Sequence, residues 1–125
     1  MNRKRPVNLD LTAFRFPLPA LTSIVHRISG VFLLIGFGFL LWMFNLSLES
    51  SQGFADVQAV LNSGLAKFAL WVTLSAVLYH FVAGIKHLLM DAGIGETLEG
   101  GRIGAVAVVV IAGVLIVLTG VLLWA

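Results

Sequence analysis

No cysteine occurs among the 125 residues, which excludes disulfides, thiol catalysis and iron–sulfur ligation by this chain. Charge is nearly as scarce. Only 11% of residues are charged, six acids and eight bases, against 59% hydrophobic. A soluble domain of this size must cover itself with charged and polar groups. With a mean hydropathy of +1.02, lipid has to serve as solvent for most of the surface. Length excludes a further class: three spans and short loops consume nearly the whole chain, leaving no room for a nucleotide-binding domain. No internal repeat and no low-complexity tract appears, and nothing points to a nucleic-acid partner.

Three long apolar runs are what the sequence does contain. Ile28 to Leu48 carries no charge in 21 residues, Phe68 to Met90 carries only Lys86, and Ile103 to Ala125 is uncharged over 23 residues. A helix rises ~1.5 Å per residue, so ~20 residues cross a ~30 Å hydrocarbon core. None of the runs alternates as a strand would. The expected fold is therefore all-α, an integral membrane bundle of three transmembrane helices over approximately 23–48, 65–91 and 103–125. It forms one domain, 1–125. Residues 1–22 are read as a cytoplasmic or interfacial lead-in punctuated by Pro6, Pro17 and Pro19, with Phe14, Phe16 and Leu18 at the interface. The basic start resembles a signal peptide, but the prolines, Asp10 and a full-length apolar run argue for retention. The first loop, Glu49 to Gly64, suits a short amphipathic turn, and the second, Asp91 to Arg102, is short and Gly-rich.

Orientation follows from the bases. Arg3, Lys4, Arg5, Arg15, Arg27, Lys86 and Arg102 fall on one side and only Lys67 on the other. The positive-inside rule then puts the N-terminus in the cytoplasm and the C-terminus outside. Trp42, Trp71 and Trp124 would form an outer interfacial belt.

Histidine is costly in a bilayer, and ionisable residues there usually mark a cofactor, a proton path or a partner contact. His80 lies past the middle of the second span. His87 follows seven residues later on the same face, ~10.5 Å along the axis, too far to share one metal ion with it. His26 stands beside Arg27 at the mouth of the first span. His80 suits an axial bond to haem iron, since Ala76 and Gly84, one turn away on either side, permit close approach. It equally suits a hydrogen bond to a neighbouring helix packed against the same small residues. Ser23 and Arg27 share a helical face and suit a polar head group arriving from lipid, such as a quinone carbonyl. They suit equally a helix cap and a snorkelling arginine on lipid phosphate. Gly36, Gly38, Gly113 and Gly120 read as close helix contacts.

The strings RPVNLDL (Arg5 to Leu11), FPLPALTSIVHRISG (Phe16 to Gly30) and HFVAGIKHLLMD (His80 to Asp91) resemble the cytochrome b membrane-anchor subunit of bacterial succinate dehydrogenase. Two patterns, S-x-x-H-R-x-S-G and H-x3-G-x2-H-x3-D, carry the resemblance, while the third span matches in hydrophobic character only. It implies a chain that, with a second anchor subunit, binds haem b and forms a quinone-reduction site fed by an iron–sulfur subunit and a flavoprotein subunit. Ubiquinone would be the substrate and the bacterial inner membrane the location. The resemblance assigns His80 as axial haem ligand and Ser23 and Arg27 to the quinone, with Phe16 and Ile24 in its apolar wall. It places His26, Arg27 and His87 near the haem propionates. The succinate-oxidising site would be on another chain. Rival readings are an anchor for fumarate reduction and a non-redox small membrane protein.

Overall fold

The computed structural model describes residues 15–125. Expectations for Arg3, Lys4, Arg5 and Phe14 lie outside the described residues. Four helices follow in order, α1 (Leu18–Glu49), α2 (Ser51–Leu61), α3 (Gly64–Asp91) and α4 (Leu98–Trp124), with no strand among the described residues. The three long helices, of 32, 28 and 27 residues, are each long and apolar enough to cross a membrane. The all-α, three-span expectation holds.

Helix ends differ from the expected ones for identifiable reasons. α1 starts at Leu18 behind Pro17, with Pro19 in its first turn, where a missing N–H costs nothing. Part of the expected lead-in is therefore already helix. α4 starts at Leu98 because the Thr97 hydroxyl accepts from the Gly100 backbone N–H at 3.0 Å. The second loop shrinks to a turn in which Gly93 and Gly95 adopt φ of 84° and 71°. The first loop holds the full helix α2, capped by Ser50 Oγ on Gly53 N–H at 2.9 Å.

The surface is apolar: Leu34 and Leu122 are about four-fifths exposed. Buried positions are instead mostly small. On α1 they are Thr22, Ser29, Gly36 and Met43, one every seven residues. Lipid tails are as apolar as leucine, so packing of small residues and interhelical hydrogen bonds drive association here. α3 runs antiparallel to α1 along this stripe, Thr73 against Gly36 and His80 against Ser29. A Cβ on Gly36 would come within 2.6 Å of Thr73 Cγ2, so only glycine lets the helices meet there. α4 returns along α3, with Lys86 against Gly104 and Trp71 against Gly120. The start of α1, the end of α3 and the start of α4 thus share one end of the bundle.

Trp71 packs inside the bundle, at the same end as Trp124. Its Nε1–H donates to the Ile116 carbonyl of α4 at 3.0 Å, and its ring meets Trp124 edge-on. Gly36 and Gly120 are close contacts as expected. Gly38 and Gly113 have nothing within 4 Å of a Cβ.

Candidate functional site

Two neighbouring residues of α3 reach across to α1 backbone carbonyls one turn apart. Tyr79 Oη donates to the Thr22 carbonyl at 2.7 Å. His80 Nδ1 lies 3.0 Å from the His26 carbonyl and 3.0 Å from Ser29 Oγ. A carbonyl oxygen only accepts, so Nδ1 carries the proton. Ser29 spends its own proton on the same His26 carbonyl at 2.7 Å, leaving a hydroxyl lone pair towards Nδ1. The imidazole is therefore fixed as the Nδ1–H tautomer, and its Nε2 lone pair is free for another bond. Metal-ligating histidines typically donate their second ring nitrogen in this way, which fixes the ring and raises its basicity.

The three histidines gather, a feature that α3 spacing alone does not reveal. The His26 ring stacks on His80 with centroids 4.0 Å apart and planes 11° apart, and lies 5.0 Å from His87. Nitrogens in two nearly parallel rings point in-plane and do not converge. Accordingly, no group of three acidic or histidine side chains among the described residues is arranged to hold a bare metal ion. Haem iron, which would need a single Nε2 from this chain, has no such requirement. Stacking covers the face of His80 and leaves its edge. Two glycines make the space: a Cβ on Gly30 would stand 3.2 Å from the His80 ring, and one on Gly84 would stand 3.6 Å from His26 Nε2. The room expected at Gly84 thus faces His26.

Ser23, Ile24 and Arg27 lie elsewhere on α1. At 100° per residue they turn away from the stripe formed by Thr22, His26 and Ser29. Ser23 is half-buried, while Phe16, Ile24 and Arg27 are exposed. Ser23 is the sixth residue of α1, so the cap reading fails. The structure brings His26, His80 and His87 together and leaves the Ser23–Arg27 pair on an outward face at the same end. Ser29, Tyr79 and Gly30 complete the histidine site. Ser29 and Gly30 fall within the S-x-x-H-R-x-S-G string. The seven-residue repeat from Thr22 through Ser29 and Gly36 is the signal that marks Ser29 as inward-facing.

Residues 1–121 match the family described as succinate dehydrogenase/fumarate reductase transmembrane subunit. The succinate dehydrogenase cytochrome b556 subunit of Coxiella burnetii is 46% identical over 99% of this chain and 100% of its own length. The corresponding subunit of Paracoccus denitrificans is 36% identical over 92% of this chain and 88% of its own. The mitochondrial cytochrome b560 subunit of Mus musculus is 34% identical over 86% of this chain and 65% of its own.

Proposed function

This chain belongs to the succinate dehydrogenase/fumarate reductase transmembrane-subunit family, as a membrane anchor of the succinate dehydrogenase type, and we propose that with a second anchor subunit it binds haem b and forms a quinone-reduction site. The observation that carries the haem reading is the Nδ1–H tautomer of His80, held by the His26 carbonyl and Ser29. That donor arrangement fits an axial ligand. His80 would hold the haem iron through Nε2, together with a residue of the second anchor. Haem b supplies, when bound, a reversible one-electron iron couple in the membrane. His26 and His87, at the same end, would face its propionates; Arg27, on the outward face of α1, would approach them only from that side.

The outward face with Ser23 and Arg27 suits a quinone head group shared with a partner chain. Ser23 would donate a hydrogen bond to one quinone oxygen. Arg27 would stabilise the negative charge that develops there as electrons arrive from an iron–sulfur subunit. Ile24 and Phe16 would form the apolar wall. Succinate would be oxidised on a flavoprotein subunit, and ubiquinone would be the acceptor. With the base-rich end in the cytoplasm of a bacterial inner membrane, protons for the reduced quinone come from the same side.

The test is a ratio measured in membranes with equal assembled complex: succinate–quinone reductase activity over succinate oxidation with a soluble artificial acceptor. Losing a charge-assisted hydrogen bond costs ~1.5–3 kcal/mol, roughly one to two decades in rate. Ser23→Ala and Arg27→Leu should each lower the ratio at least about tenfold. A wild-type ratio in both would leave these residues with no quinone role.

A further inference from the structure

Between α3 and α4, on the side of α3 away from α1, runs an open groove of about 630 Å³. Its lining is apolar or glycine except for Lys86, the only charged residue in it. Lys86 is itself 9% exposed. Its side-chain carbons lie against Gly104, where a Cβ would stand 3.2 Å from Cε. No carboxylate among the described residues lines the groove with it. With its carbon stem covered and no carboxylate beside it among the described residues, the Lys86 ammonium at the edge of an apolar trough suits an anion arriving from outside.

The shape of the groove says what kind of anion. Lys86 sits at the level of Gly104, near the bundle end where α3 finishes and α4 begins. From there the groove continues along α4 as far as Leu115, eleven residues or ~16 Å. One leaflet of a ~30 Å core is ~15 Å deep. Val108 is buried in the floor, while Phe81 and Ile103 stand about two-thirds exposed at the rims. One cation at the interface and an apolar trough one leaflet long match a molecule with an anionic head and a hydrocarbon tail. We propose that the α3–α4 groove is a binding site for an anionic phospholipid, its phosphate on Lys86 and one acyl chain lying between Ile85 and Ile103 towards Leu115. Ser23, Arg27 and the histidines lie on other faces, so this site is separate from the proposed redox centre. The lipid would fasten α4 to α3 at the end where Trp71 does not.

The test uses the whole complex, purified in mild detergent, with bound phospholipid measured by mass spectrometry. Lys86→Gln should lower retained anionic phospholipid at least about fivefold, and Lys86→Arg should keep it. Ala107→Phe fills the groove while leaving the lysine, and should displace the same lipid. It also keeps the proposal falsifiable if Lys86→Gln does not assemble. Phosphatidylglycerol added to delipidated wild-type complex should raise its thermal midpoint, and phosphatidylcholine should not. Equal retention in wild type and Ala107→Phe overturns the proposal. So does a cross-link from a cysteine placed at Ala107 to a partner subunit, which would make the groove a protein contact.

Discussion

His80 on α3 donates its Nδ1–H to the backbone carbonyl of His26 on α1 across 3.0 Å, so one helix sets the tautomer of a histidine on another. Substituting His26 leaves that acceptor in place. Substituting His80 removes the donor and the proposed ligand at once. In the assembled complex His80→Leu should therefore abolish or strongly alter the reduced cytochrome b band. His87, whose ring meets that of His26 at 5.0 Å, does not share the iron, and His87→Leu should leave the band nearly intact. The check is a dithionite-reduced difference spectrum of each variant. An unchanged band in His80→Leu refutes the ligand assignment.

Ser29 accepts from His80 while donating to the His26 carbonyl. Ser29→Ala should keep haem bound, because the carbonyl remains. It should raise the midpoint potential, because weaker hydrogen bonding to Nδ1–H makes the imidazole a poorer electron donor to ferric iron. Ser29→Thr should lie closer to wild type. Redox titration of the haem absorbance reads this directly, and a potential unmoved in Ser29→Ala counts against the tuning role.

Gly36 tests the seam itself. A side chain there collides with Thr73, and overpacking typically costs ~1–3 kcal/mol. Gly36→Ala should lower the thermal midpoint of the complex, and adding Thr73→Ala should restore part of the loss by removing the two closest atoms. Gly38→Ala, with nothing within 4 Å, should be silent. Equal midpoints for the two alanine variants would mean the helices do not pack in this register.

Topology carries its own check. If the seven bases expected on one side of the membrane lie in the cytoplasm, a reporter fused after Ala125 should be active in the periplasm and one at the N-terminus in the cytoplasm. A cytoplasmic C-terminus is incompatible with three spans entered from that side.

The spans were legible because a charge-free run of about twenty residues has one physical use. Their ends were less so. Pro17 and Pro19 read as breaks, yet proline in a first helical turn starts a helix. Gly100 and Gly101 read as loop, yet Thr97 caps a helix that contains them. α2 was legible only as a short amphipathic turn, because eleven residues repeat an apolar face too few times to fix the length of a helix. His80 was legible as an isolated deep imidazole. Its pairing with His26 and Ser29 was not, since it depends on the register of α3 against α1. The same holds for Trp71, whose partner is a carbonyl on α4 and leaves no mark in side-chain pattern.

The seven-residue stripe on α1 bears on that register in a further way. Sliding α3 by two turns along α1 would exchange one apolar contact for another at little cost, because lipid does not distinguish between them. A few positions identify the right alignment: Gly36 opposite Thr73, Tyr79 on the Thr22 carbonyl, and the hydroxyl, imidazole and carbonyl at Ser29, His80 and His26. The residues proposed to hold the haem are therefore also the index marks by which the two helices find each other. Loss of pigment in a variant here can report misalignment as readily as a missing ligand, and only variants that still pair correctly report on electron transfer.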